Sequence, residues 1–262
     1  MTKPLVIKIG GTILEKEGAL NALLAVLSKL KTDAKVVLVH GGGCVVDEML
    51  AQANFTTVKK QGLRVTPKAQ IGLISGALAG TVNKSIVATA NSMHLPAVGL
   101  SLVDGDMITC TKSACLGSDQ DLGEVGVPSP KSSQLLDVLL NSHFLPIVSS
   151  IGALANGDLV NVNADDAAVA ICQLLNAELL LLTDVNGVKG SDGEYLTSLN
   201  SEQANSLIEK GVIAGGMTAK VNAALQAANK LRRSIAVASW QSPEQITELL
   251  AGQGVGTQIL PD

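Results

Sequence analysis

Aromatic side chains are nearly missing from these 262 residues: Phe55, Phe144, Tyr195 and Trp240 are the full set. Four scattered rings disfavour recognition by base stacking or by aromatic cages. Charge is scarce as well, with Asp, Glu, Lys and Arg at 16%, where about 25% is usual. Apolar residues reach 47%, which excludes intrinsic disorder. The net charge of −4 offers no basic field for a phosphate backbone, so no nucleic-acid partner is expected. An anionic ligand must be held by a few local lysines and arginines. Cys44, Cys110, Cys115 and Cys172 form no CxxC pair. They read as reduced thiols of a cytoplasmic protein, Cys44 as a small buried residue, and Cys110 with Cys115 as too isolated for a metal site. The apolar run 167–182 is broken by Gln173, Asn176 and Glu178 and falls short of the roughly 20 residues of a membrane span. The N-terminus has no apolar stretch followed by a cleavage site, so neither a signal peptide nor a membrane partner is expected.

What is present alternates in type. Leu5 to Ile9 and Lys35 to Val39 are buried-strand candidates, separated by leucines at 20, 23, 24, 27 and 30 that mark an amphipathic helix. Further strands are expected at 97–102, 145–149, 179–183 and 234–238. Strand, helix, strand at this spacing is a βαβ unit and favours a parallel sheet. Thr66-Pro67 reads as an N-cap with proline at the first helical position, opening a helix of about 25 residues. Ser242-Pro243-Glu244-Gln245 reads as a capping box, and Asn200 with Gln203 opens a helix that Gly211 closes. Segments 103–128 and 151–163 look like hairpins inserted into the framework. The fold class expected is a three-layer α/β/α sandwich with a largely parallel central sheet, bilobed, with lobes at 1–175 and 176–262.

Two strands run straight into glycines, Gly10-Gly11 and Gly41-Gly42-Gly43. In open α/β sheets ligands bind beyond the carboxyl ends of strands, where glycines let backbone N–H groups approach an anion. The Walker-type phosphate loop and the dinucleotide fingerprint are both absent, and Gly252, Gly254 and Gly256 read as a turn. Lys8 stands at the ligand end of the first strand, a costly place for an ammonium unless it meets an anion. Neither a plausible histidine base nor a Ser-His pair is visible: His40 reads as an oriented loop residue, His94 and His143 as surface or helix-end residues. Lys59-Lys60 either adds positive potential at the site's mouth or solvates a hairpin.

Five segments, Lys8-Ile9-Gly10-Gly11, His40-Gly41-Gly42-Gly43, Gly62-Leu63-Arg64-Val65-Thr66, Asn161-Val162-Asn163-Ala164-Asp165 and Gly216-Met217-Thr218-Ala219-Lys220-Val221, together resemble the amino-acid-kinase family. Within it they are similar to the branch that phosphorylates the side-chain carboxylate of N-acetyl-L-glutamate in arginine biosynthesis. The resemblance implies that Lys8 and Lys220 contact the transferring phosphoryl group and that Asp165, rather than its neighbour Asp166, organises both lysines. It implies a backbone cradle at Gly10, Gly11, Gly42 and Gly43, with Gly42, Gly43, Arg64 and Asn161 beside the acetylated amino acid. It assigns the nucleotide to Asp184, Val185, Asn186, Gly187, Val188 and Lys189 and to Val212, Ile213 and Ala214. The co-substrate implied is ATP with Mg²⁺ held mainly by its phosphates, the acid being bound by the N-terminal lobe and ATP by the C-terminal one. These roles fit the chemistry. A carboxylate of pKa about 4.3 needs no general base, so cations and positioned N–H groups supply the catalysis.

The resemblance leaves alternatives. Sister kinases with appended domains do not fit the length, whereas an acetylaminoadipate kinase differs by one methylene, worth only about 1–3 kcal/mol in a pocket. A catalytically silent amino-acid sensor would have no physical need for Lys8, Asp165 and Lys220 together. Arginine-inhibited members of the family carry an extra N-terminal helix that links dimers into rings. Met1-Thr2-Lys3-Pro4 cannot form one, so an arginine-insensitive homodimer is expected. Its contact is expected on the long helix after Pro67, at the small residues Ser75, Gly76, Ala79 and Gly80.

Overall fold

The computed structural model describes residues 3–30, 34–60, 62–113 and 121–262. Its strands, in chain order, are β1 (Leu5–Ile9), β2 (Val36–His40), β3 (Lys59–Lys60), β4 (Leu63–Arg64), β5 (Ala97–Ser101), β6 (Ile108–Lys112) and β7 (Val125–Pro130). They continue with β8 (Leu145–Ser149), β9 (Ile151–Ala153), β10 (Leu159–Val162), β11 (Glu178–Thr183), β12 (Ser198–Leu199), β13 (Ile235–Ser239) and β14 (Thr257–Ile259). The main sheet has the order β12-β14-β13-β11-β1-β2-β8-β5 and is parallel except where β13 meets β14. Near-continuous apolar runs such as Leu-Val-Ile in β1 suit a sheet covered on both faces.

Alternation along β1 sorts the two layers. Leu5, Ile7 and Ile9 join Leu38, Ile147 and Leu180 on the face packed by the helices Ala19–Leu27 and Lys68–Ser92. Val6 joins Val37, Val39 and Leu179 on the other face, against Ala167, Ala168 and Ile171 of Ala164–Leu175 and Val221 and Leu225 of Gly216–Leu231. This is the expected three-layer sandwich. The sheet is continuous across residues 175 and 176, because β11 pairs with β1. The two inserted segments do form antiparallel pairings, and β10 then lies parallel to β7, merging them into a four-stranded sheet, β6-β7-β10-β9.

Two capping expectations are corrected. Pro67 is itself the N-cap (φ −58°, ψ 149°) and the helix starts at Lys68. Thr66, held extended by the following proline, bonds through its N–H to the Leu122 carbonyl and through its carbonyl to the Glu124 N–H. At 242–245 no capping box forms: Glu244 is the N-cap, the Gln245 N–H goes to the Ser242 carbonyl, and the buried Gln245 Oε1 has no partner among the described residues. The Asn200–Gln203 box is present, and Gly211 takes φ 70° just past its helix.

Beyond the run 167–182, the 25-residue helix Lys68–Ser92 is long and apolar enough, by length and composition, to cross a membrane. It packs on the sheet through Val82, Ile86 and Ala90, as one of the fold's layers. Its middle, Gly76–Val82, is a π-helix, a local widening often found at functional sites.

Candidate active site

The chain leaves β1 toward β2 on one side, and β11 joins β1 from the other. Such a reversal of strand order opens a crevice at the carboxyl ends of the strands. Lys8 lies on the same face of β1 as Val6, and its ammonium meets Asp165 Oδ1 at 2.8 Å. Asp165 sits in the first turn of Ala164–Leu175, where the helix dipole favours a carboxylate. Its N–H is capped by the Asn163 side chain at 2.7 Å. The pair is largely enclosed, with the side chains 18% and 29% exposed. Asp166 turns away to Lys230 at 2.5 Å.

Beside this pair lies a cavity of about 270 Å³ lined by Gly41, Gly42, Gly43, Lys59, Arg64 and Asn161, among others. Gly42 has φ 155°, and a Cβ there would lie 2.8 Å from Val82 Cγ2, so the loop is pressed against the π-helical segment and admits only glycine. The Gly43–Gln52 helix follows directly and brings its first-turn N–H groups to the cavity. Arg64 is braced by several groups. Its Nη1 donates to Asp47 Oδ1 (2.5 Å) and Thr57 Oγ1 (3.1 Å), and its Nη2 donates to the Gly43 carbonyl (3.2 Å). Lys59 also reaches Asp47, at 3.0 Å, which gives it a role in the site's wall rather than in solvation alone. Burial by itself would push the Asp47 carboxyl up, but hydrogen bonds from Arg64, Lys59 and Thr57 hold it down to about 2. Asn161 donates through Nδ2 to Thr66 Oγ1 at 3.2 Å.

Asp47 escaped the sequence reading. Its one available signal was position: four residues past Gly43 on a helix, it shares that glycine's face.

The other lysine differs from expectation. Lys220, near the start of Gly216–Leu231, places its ammonium on Asp184 Oδ1, immediately after β11. Among the described residues Asp165 is thus paired with Lys8, while Lys220 is paired with the carboxylate at the end of β11. The Lys220 and Thr183 hydrogen bonds lower the Asp184 pKa. Along the expected nucleotide segment, Val188 is buried with its N–H on Thr257 Oγ1 at 2.8 Å. Lys189 lies over the Tyr195 ring, 5.3 Å from its centroid. Ile213 is buried, whereas Val212 is exposed. An open cavity of about 650 Å³ follows, lined by Gly190, Ser191, Asp192, Asn200 and Leu207 among others.

His40 is not a loop residue. It ends β2, is fully buried, and burial drives its pKa down to about 4. Cys44 is half-buried rather than buried, and desolvation with a Glu15 contact raises its pKa. His94 and His143 do end helices, with φ near 60°. Cys110 is buried, Cys115 lies outside the described residues, and among the described residues no three His, Cys, Asp or Glu side chains are grouped to hold a metal ion.

With this geometry in place, comparison decides the family, since the amino acid kinase family matches residues 3–239. The chain belongs to the amino acid kinase family. An acetylglutamate kinase of Colwellia psychrerythraea is 79% identical over 260 residues, covering 99% of this chain and 98% of that one. An acetylglutamate kinase of Proteus mirabilis is 46% identical over 260 residues, covering 98% and 99%. Among solved structures, the N-acetylglutamate synthase of Neisseria gonorrhoeae complexed with coenzyme A and N-acetyl-glutamate superposes with a TM-score of 0.79 at 26% identity. That match covers 99% of this chain and 60% of the longer one.

Proposed function

We propose that this kinase transfers the γ-phosphoryl group of ATP to the side-chain carboxylate of N-acetyl-L-glutamate, giving N-acetyl-L-glutamyl 5-phosphate in arginine biosynthesis. The observation that carries the reading is the enclosed Lys8–Asp165 pair beside a cavity holding a braced arginine. A guanidinium fork suits the α-carboxylate of an acidic substrate, and Asn161 supplies a further polar group. Lys8 and Lys220 then act on the phosphoryl group, where cationic contacts strengthen as charge moves to the transferring oxygens. The Gly10-Gly11 and Gly42-Gly43 backbones add N–H donors. Residues 1–175 hold the acid; residues 176–262 hold ATP through 184–189 and 212–214. Mg²⁺ enters with the nucleotide and takes its ligands mainly from the phosphates.

The enzyme works in the cytoplasm as a homodimer. The helix Lys68–Ser92 offers the contact, since at Gly76 and Gly80 the space beyond the backbone is open. Neither the one-methylene-longer substrate nor a silent sensor draws support from the two relatives named above, both acetylglutamate kinases.

Hydroxylamine trapping of the acyl phosphate, run with acetylglutamate, acetylaminoadipate and glutamate, tests the reading. ATP-dependent hydroxamate is expected with acetylglutamate at a kcat/KM at least tenfold above the others, roughly what one methylene can supply. Equal turnover of acetylaminoadipate, or none of any acid, overturns it.

A further inference from the structure

His40 is the one histidine in the heart of the molecule, and the chemistry above leaves it unused. In β2 it lies in register with Ile9 of β1 and Ser149 of β8, directly beneath the glycine loop. Its Nδ1 is 2.7 Å from the Gly41 carbonyl and its Nε2 is 3.0 Å from Asn83 Nδ2. A carbonyl can only accept, so Nδ1 carries the proton and Nε2 is left as the acceptor. Asn83 fixes this tautomer from the other side. Its Nδ2 also faces the carbonyls of Ile147 (2.8 Å) and Leu100 (3.3 Å), which only a donor can satisfy. The price is visible: Asn83 Oδ1 is buried with no partner among the described residues. It sits over Gly99, where a Cβ would come within 2.0 Å. A fully buried asparagine with an orphaned oxygen is a costly feature to hold for packing alone.

The geometry of the peptide unit supplies a purpose. A trans peptide is planar, and its C=O and N–H point in opposite directions. With the Gly41 carbonyl drawn down onto His40, the Gly42 N–H is turned up, toward the cavity that Gly41, Gly42 and Gly43 line. Glycine at 41 and 42 would otherwise leave this peptide free to flip. Asn83 immediately follows the π-helical turn whose Val82 and Leu78 press on Gly42. The same turn thus clamps the loop by contact and by hydrogen bond.

We propose that His40, held in one tautomer by Asn83, is a positioning residue that fixes the Gly41–Gly42 peptide with its N–H aimed at the reacting anionic group. The inference rests on the kinase reading above. It deepens that reading by making a buried pair, remote from substrate, responsible for one donor of the cradle.

Nitrogen-15 spectra of histidine-labelled protein, paired with steady-state kinetics, test it. The wild type is expected to show one imidazole locked with Nδ1 protonated. In Asn83→Ala that signature is lost, kcat for acetylglutamate falls about tenfold or more, and KM for ATP stays within about twofold, as expected for a group acting in the transition state. His40→Leu behaves alike. His40→Asn, whose amide nitrogen can stand in for Nδ1, recovers activity to within about threefold of wild type. The proposal fails if Asn83→Ala keeps wild-type kcat with the tautomer lost. It also fails if His40→Asn is no better than His40→Leu, or if both substrates lose affinity together with melting temperature, the mark of a structural role. A wild type that phosphorylates no acylated acid refutes the kinase reading instead, while the tautomer and its loss in Asn83→Ala still decide the geometry.

Discussion

The two lysines of the crevice meet the same kind of partner in different surroundings. Lys8, on the central strand, is 18% exposed beside an aspartate anchored at a helix N-terminus. Lys220, on a surface-layer helix, is 43% exposed and its partner Asp184 44%. The same contrast holds for the regions around them. The cavity beside Lys8 is walled by a strand end, a helix start and a multiply bonded arginine, whereas the Lys220 side rests on a loop, Asp184–Lys189, with Val212 exposed. Preorganised donors in a desolvated place do more for a transition state than exposed ones, which water screens. One side of the crevice is thus built by the core, and the other is more open to solvent.

The sharpest way to break this comparison is to replace each lysine in turn. Lys8→Arg and Lys220→Ala are expected to lower kcat by about 10²-fold or more with smaller changes in KM, because their contacts strengthen as charge moves. The enclosed Lys8 should be the less forgiving of the two. Losses confined to KM would make both simple binding groups and erase the distinction.

A smaller effect is expected at the braced arginine. Arg64→Lys should raise KM for acetylglutamate by about tenfold or more while ATP binding, followed by calorimetry, stays nearly unchanged, since an ammonium offers one point of contact where the fork offers two. Asp47→Asn keeps the shape but weakens the brace, and should give a milder rise of the same kind. Loss of ATP binding in either variant would move Arg64 to the nucleotide side.

The effect farthest from the kinetics is on stability. His40 is held neutral in the fold, with its pKa lowered to about 4, so between that value and the unfolded value the unfolded chain binds more protons. Its contribution is complete above about pH 6.5 and is lost as pH falls toward 4, amounting to roughly 3 kcal/mol. Asp47, depressed to about 2, contributes above about pH 4 and loses its share only as pH falls further. Denaturant melts at pH 7 and pH 5 should therefore differ more in wild type than in His40→Asn. An equal pH dependence in both would deny that burial sets the imidazole's charge state.

Much of this was legible because it is local. The strands at 5–9, 145–149 and 178–183 announce themselves by short apolar runs, and the glycines by their place at strand ends. Asn200 and Gln203 form their box because both partners lie within one turn. What escaped depends on distant partners. Ser242 and Gln245 have the right spacing for a box, yet a backbone turn takes the Gln245 N–H. Asp47 acquires meaning only when Thr57, Lys59 and Arg64 fold back onto it.

The sequence by itself determined the layered α/β architecture, the glycine loops at two strand ends and the need for cations where no base exists, because each follows from periodicity, backbone freedom or the residue types available. Only the tertiary structure decided which carboxylate each lysine holds, that the histidine before the triple glycine lies in the core, and that Asn83 meets its imidazole there. Those are pairings between residues tens of positions apart, and the free energy of a buried polar group depends on the one partner it finds there.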